Sequence, residues 1–346
     1  MAILLNRCLH LIHFLRVVLT VATLIFPIAA PAREGPSCRS QSAELDFPYQ
    51  SNVPTGWDHD RFGTEPPGER QIVTGPFISA FPGPEAERTG SPYRAVPRWV
   101  AYEMRALIDD DGQPVHPQGA RRPSRWYELH QTSFLWDDRP EIESRGLDSS
   151  YRGFAALWNR GHLAARAHAN RIAWQEGCNS HVFVNALPQH ARLNQGDWLA
   201  LENYAAAAAN RFGRLWTIAG PVFTPGRSIE MIGGPSTVPV PVPHAVFKIL
   251  AIETEAGIEA RAFLFPQAED EDVAAYRRCS GTQQESYDLG RYAITVARLE
   301  TLTGLDFFTR LDESSRHAIS SSSDAALWPI APHFYGDRCG GRATTR

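Results

Sequence analysis

Residues 196–213, GDWLALENYAAAAANRFG, constrain the fold more than any other stretch of this chain. Alanine and leucine are strong helix formers and Gly213 makes a natural C-terminal stop, so the segment predicts one long helix. Strand signals flank it. HVFVNALP (181–188) alternates and is rich in β-branched residues, and LWTIAGPVF (215–223) follows the helix directly. HAVFKILAIE (244–253) and IEARAFLFP (258–266) predict two more strands of the same sheet. Pro239, Pro241 and Pro243 hold the approach to the first of these extended. RWVAYEMRAL (98–107) has strand character and begins the core, and SFLWDD (133–138) reads as another short strand. Residues 292–304 predict a helix closed by Gly304, with the apolar LDFF after it. Phe307 and Phe308 of that run read as core. No internal repeat is present, and this irregular mixture of strands and helices reads as α+β.

The ends differ from this middle. Arg7 and Arg16 precede VVLTVATLIF (17–26), an apolar run short for a membrane span, and Ala30, Pro31 and Ala32 form a small-x-small site. Residues 1–32 are therefore expected to be a cleaved signal peptide, an uncleaved anchor helix being the rival. Export to the periplasm or beyond would follow, with no membrane contact after cleavage. Residues 33–90 are rich in Pro, Gly, Ser and charge and read as an extended arm. Residues 91–312 are the expected domain and 313–346 a tail. Cys8 leaves with the signal, which puts Cys38, Cys178, Cys279 and Cys339 in an oxidising compartment, where an even set predicts two disulfides. Three connectivities are open; the favoured one joins Cys38 to Cys178 and Cys279 to Cys339, pinning arm and tail. No C-x-x-C pair supports a zinc site instead.

The net charge of −4 argues against binding nucleic acid by bulk positive charge, though not against a local basic cleft. The basic residues are 33 arginines and one lysine, Lys248, a bias that either reflects genome composition or suits phosphate recognition.

Three segments carry polar residues that a fold does not need: Asn159, Arg160, Gly161 and His162; NALPQ (185–189); and NQGDWLALE (194–202). Asn194, Trp198, Leu201 and Glu202 are spaced to share one helix face. An amide oxygen and a carboxylate so placed are hard donors that suit Mg²⁺. A neutral His162 facing them would be a general base for phosphodiester hydrolysis. The plainer readings are a structural histidine, an asparagine helix cap at Asn194 and a solvated carboxylate at Glu202.

NRGHLAARAHAN, VNALPQHARLNQGDWLALENY, AGPVF, VPHAVFKIL and LETLTGLDFF occur in the order seen in the DNA/RNA non-specific endonucleases, a family the chain resembles over about residues 97–310. That family holds secreted bacterial sugar-non-specific nucleases and mitochondrial endonuclease G, and residues 151–204 are especially similar to the latter. The resemblance implies a ββα-metal (His-Me finger) domain with a mixed antiparallel sheet flanked by helices. It implies a metal-dependent endonuclease that cuts DNA and RNA without sequence preference and leaves 5′-phosphates. By it His162 is the general base, Asn194 the direct protein ligand of one Mg²⁺ (Mn²⁺ substituting), and Glu202 the holder of water on that ion. Arg160 inherits a place in the active site, on the phosphate side or in its scaffold, and Asn159, Asn185 and Gln189 support the site. A homodimer stays open.

Two departures stand out. Asn159 occupies a position that is usually Asp, which weakens any charge effect on the histidine or the metal's waters. Thr132, two residues before Phe134 of the Phe134–Asp137 segment, stands where many members carry a catalytic arginine; Arg139, Arg145 and Arg166 are candidate replacements. These departures motivate an alternative: a catalytically weakened relative that binds nucleic acid or a partner protein. His168 reads as surface or supporting structure, Trp198 and Tyr204 as core-facing, and Lys248 as structural.

Overall fold

A long antiparallel hairpin late in the chain sets the frame for everything else. The structure, a computed structural model, describes residues 36–38, 52–65, 69–82, 92–123, 126–127, 147–234, 237–267, 288–322 and 326–335. In chain order the first strands are β1 (Thr64–Glu65), β2 (Arg70–Val73), β3 (Ile78–Phe81), β4 (Trp99–Arg105), β5 (Trp158–His162) and β6 (Ala186–His190). They are followed by β7 (Arg214–Val222), β8 (Met231–Ile232), β9 (Val240–Pro241), β10 (Ala245–Thr254), β11 (Gly257–Pro266), β12 (Ala293–Ile294) and β13 (Asp306–Phe307). The α-helices are α1 (Arg166–Ala169), α2 (Trp174–Asn179), α3 (Ala191–Gln195), α4 (Asp197–Phe212), α5 (Val296–Thr303) and α6 (Glu313–Ser321).

Seven strands form one sheet in the order β12-β11-β10-β7-β4-β3-β2, with every ladder antiparallel. β7 and β10 at its centre are buried along most of their length rather than alternately. Both faces of the sheet are covered, which explains this. On one face Val100, Met104, Leu215, Ala219, Val246 and Leu250 meet Trp198, Leu201, Tyr204, Ala205 and Ala208 of α4. The alanines let this helix lie close to the sheet. On the other face Trp99, Ala101, Trp216, Ile218, Phe247 and Ile249 meet Val296 and Leu299 of α5, Phe307, Phe308, and Ile319 of α6. Each large apolar side chain so buried contributes roughly 1.5–3 kcal/mol. The α+β reading holds, as do Phe307 and Phe308 as core and Gly213, at φ 84°, as the end of α4.

β5 and β6 form a separate two-stranded ribbon, and α3 follows it and packs against both strands. This is the ββα unit.

Several sequence expectations need correction. Residues 181–188 are not one strand: Phe183–Asn185 form a 3-10 turn and β6 begins at Ala186. The Asn185 side chain bonds to Ala164 and Ser180 and turns the chain there, a local competitor to the ladder. The helix expected over 292–304 starts only at Val296, because the Thr295 hydroxyl caps it by accepting from Arg298 N at 3.2 Å. The long helix does not continue back to Asn194. Gly196 adopts φ −117° and ψ −108°, so Asn194 lies in the separate five-residue α3. The span 33–90 is more than an arm: β2 and β3 extend the main sheet beside β4, and Phe77 and Phe81 are buried. The tail also contributes, since Trp328 stacks on Tyr204 with ring centroids 6.5 Å apart. The signal-peptide reading, SFLWDD with Thr132, Phe134 and Asp137, Arg139, Arg145, Cys279 and Cys339 lie outside the described residues.

Candidate active site

The ribbon's register decides what faces what. Trp158 pairs with His190, Asn159 with Gln189, Arg160 with Pro188, Gly161 with Leu187 and His162 with Ala186. Side chains alternate along a strand, so Arg160 and His162 share one face and Asn159 and Gly161 the other. A Cβ at Gly161 would lie 2.6 Å from the Gln189 Cβ and 2.5 Å from its Oε1, so only glycine admits the Gln189 side chain there. Gln189 is 1% exposed, and both its amide atoms and Asn159 Nδ2 are buried without a hydrogen-bond partner among the described residues. Asn185 is a staple: its Oδ1 accepts from Ala164 N at 2.7 Å, and its Nδ2 donates to the carbonyls of Ala164 and Ser180 at 2.9 Å. It fixes the chain directly after His162.

The His162 ring sits in an aromatic corner. Its centroid is 4.5 Å from Trp126 and 4.8 Å from His181, the latter ring standing edge-on at 85°. His162 Nε2 is cut off from solvent and has no hydrogen-bond partner among the described residues. Burial drives its pKa well below the usual 6.5, and every charged neighbour acts the same way: His181, Arg122, Arg166 and Lys248. His181 is itself held down to about 4, first by burial and then by Arg166 and Arg122. A neutral imidazole surrounded by positive charge is a proton acceptor beside a seat for an anion.

Glu202 approaches the same region from α4. Burial raises its carboxyl pKa, opposed by Lys248, by a hydrogen bond from Trp198 and by Arg122. The Trp198 indole also donates to the His162 carbonyl at 3.2 Å, which links the carboxylate's helix to the histidine's strand. Trp198 and Tyr204 face the core, and His168 is buried rather than on the surface. Its Nδ1 lies 3.0 Å from the Tyr102 hydroxyl and its Nε2 3.0 Å from the Glu202 carbonyl. Asn194 does not cap the long helix, whose N-cap position is Gly196 with no side-chain cap. It stands half-buried in α3, against the ribbon. Asn194 brings an amide oxygen and Glu202 a carboxylate, donors of the hard kind that fit a hydrated divalent cation better than a soft metal.

Arg160 is already engaged. Its Nη2 lies 2.8 Å from Asp148 Oδ1, and its guanidinium covers the Tyr151 ring at 5.0 Å. The cations nearest in effect to His162 are instead Arg122, exposed, and Arg166, half-buried with Nη2 donating to the Ala120 carbonyl. Arg122, Trp126, His181 and Lys248 have no part in the sequence-derived site. The basic and aromatic run RRPSRWY (121–127) is the signal in the sequence that points to the first two.

Comparison with known proteins gives the following. The model of the DNA/RNA non-specific endonuclease family matches residues 88–314. The mitochondrial nuclease EXOG of Mus musculus is 26% identical over 218 residues, 56% of this chain and 55% of that protein. A nuclease of Nostoc sp. is 24% identical over 180 residues, 52% of this chain and 60% of that one. The chain thus spans little more than half the length of these relatives. Among solved structures, a chain of the EndoG/EndoGI complex superposes with a TM-score of 0.52 at 16% identity, covering 74% of this chain and 92% of that one. That likeness shows the fold.

Proposed function

This chain belongs to the DNA/RNA non-specific endonuclease family, and from that premise we propose that it is an exported endonuclease that hydrolyses phosphodiester bonds in DNA and RNA. The observation that carries the reading is the His162 imidazole, held neutral by burial and faced by the cations Arg122, Arg166 and Lys248. In this reading the neutral His162 imidazole accepts a proton from the attacking water as the new O–P bond forms and the 3′-oxygen leaves. The product carries a 5′-phosphate, and the departing oxygen takes a proton from solvent. Asn194 would hold one divalent cation, Mg²⁺ or Mn²⁺, and Glu202 would orient water around it. The bound cation supplies charge neutralisation at the phosphoryl and leaving oxygens.

Arg122 and Arg166 take the phosphate-side role in this proposal, and Arg160, held by Asp148, buttresses the strand. Phosphate contacts supply the affinity, so binding weakens steeply as salt rises. Export rests on the N-terminal residues and fits the Cys38–Cys178 bond, which joins residues 140 apart in the chain.

The test is incubation of disulfide-intact protein with plasmid and with RNA, with and without Mg²⁺. His162→Ala is expected to lower kcat by roughly 100-fold or more, the usual share of a general base. Asn194→Ala is expected to raise the Mg²⁺ requirement. Cleavage that ignores Mg²⁺, or that His162→Ala leaves intact, overturns the reading. Retained DNA binding without cleavage would favour a non-cutting nucleic-acid binder.

A further inference from the structure

Lys248, the chain's single lysine, sits where a lysine is costly. It lies in β10 at the middle of the main sheet, between Ala219 of β7 and Phe263 of β11, and is 0% exposed. Its neighbours on the same sheet face, Val246 and Leu250, are apolar core. A leucine or methionine would fill that space without desolvating a charge. The ammonium nevertheless has defined company. Nζ lies 3.4 Å from the Leu163 carbonyl, one residue past His162, and 4.2 Å from the centroid of the Trp198 ring. Trp198 in turn donates to the His162 carbonyl at 3.2 Å and lies about one turn before Glu202 on α4.

We propose that Lys248 is a positioning residue of the nuclease site: its ammonium, seated between the Leu163 carbonyl and the Trp198 indole, ties the face of α4 that carries Glu202 to the strand end that carries His162. This rests on the nuclease reading above. The electrostatics agree with the geometry. Burial lowers the lysine pKa to about 8, and Glu202 is the group that opposes the fall. Burial raises the Glu202 pKa, and Lys248 is the first of the groups that oppose that rise. Glu202 is also faced by Trp198 from its own helix, by Arg122 from the loop before Trp126, by Tyr102 from β4, and through its carbonyl by His168 from α1. Lys248 differs from these in also reaching the backbone next to His162. Remove it and α4 loses a buried tie to the backbone beside His162, while Glu202 loses one of the charges that oppose the rise in its pKa.

The experiment compares wild type, Lys248→Met, Glu202→Gln and the double variant, with His162→Ala as control. Methionine keeps most of the stem and removes the charge. Plasmid cleavage is followed across Mg²⁺ and DNA concentrations, Mn²⁺ binding to the substrate-free protein is followed by calorimetry, and urea unfolding gives the folded fraction. In folded Lys248→Met, kcat should fall roughly 10- to 100-fold and metal affinity by a similar factor, the usual cost of losing a supporting contact. KM for DNA should stay within about twofold, because a fully buried residue touches no substrate. The double variant should be no worse than Glu202→Gln alone. That comparison also serves if Lys248→Met alone fails to fold, since the double variant lacks the uncompensated carboxylate. Unchanged kcat and metal affinity in Lys248→Met overturn the proposal. So do a loss that merely tracks the folded fraction, a loss confined to KM, and a double variant whose defects multiply. Full activity in His162→Ala would instead defeat the nuclease reading, while calorimetry would still report on Lys248.

Discussion

On the proposed mechanism His162 is the base, and its availability depends on residues far from it in sequence. Burial, His181 and the cations Arg122, Arg166 and Lys248 depress its pKa, so it is neutral, and able to accept a proton, at pH values where an ordinary histidine is largely charged. The sign gives a direct test. In the metal-free protein the His162 ring should titrate below 6.5 when followed by NMR, and Arg122→Gln, which removes one repelling charge, should move that midpoint upward. A midpoint at or above 6.5 in wild type, or no movement in Arg122→Gln, would contradict the electrostatic account of the base. The residues of the proposed site that the sequence marks are those of contiguous motifs: His162 after Arg160 and Gly161, Asn194 ahead of the long helix, Glu202 within it. Trp126, His181, Arg122 and Lys248 are not among them, because they act only through contacts closed by the fold; the Lys248–Leu163 contact spans 85 residues. Periodicity says nothing about which distant side chain meets which.

At the scale of the element, the ribbon holds its catalytic end through packing as much as hydrogen bonding. Gly161 is required because the Gln189 side chain occupies the space of its missing Cβ. Gly161→Ala should therefore destabilise the fold by about 1–3 kcal/mol through overpacking. Gln189→Gly, which alone should cost about 1 kcal/mol, removes both of the atoms the added methyl would strike and should recover most of the deficit when combined with Gly161→Ala. Urea unfolding of the four proteins decides it, and simple additivity would rule out the steric explanation. Helices and long strands were legible because their side-chain period is written along the chain. The break at Gly196 was not, since the residues on either side of it are both compatible with helix, and only the backbone angles separate α3 from α4. The β2–β3 hairpin escaped for the opposite reason. Its strands have four residues each, too few to show a period within a Pro- and Gly-rich stretch, and they owe their place to β4 alongside.

For the whole molecule, the bond between Cys38 and Cys178 joins the start of the described chain to the floor of the site. Cys38 N donates to the Arg121 carbonyl at 3.1 Å and Arg121 N to the Pro36 carbonyl, so residues 36–38 brace the loop that leads to Arg122 and Trp126. Cys178 lies in α2, whose Gly177 carbonyl lies 3.2 Å from Nδ1 of His181 beside the base. Tyr127 N donates to the His181 carbonyl and Phe183 N to the Tyr127 carbonyl, which closes the loop against the same segment. The bridge closes a loop of 140 residues, and a cross-link of that span removes much of the unfolded chain's freedom. Cys38→Ser/Cys178→Ser should accordingly lose roughly 2–5 kcal/mol of unfolding free energy. Urea titration without reductant measures it, and a midpoint equal to that of wild type would mean that the bond constrains nothing. The brace makes a second outcome follow from the first. With residues 36–38 released, the loop bearing Arg122 loses a support that the histidine, fixed by Asn185 and Trp198, retains. The variant's nuclease activity should then fall at a temperature where unfolding is still negligible, with the defect in KM for polynucleotide more than in metal affinity.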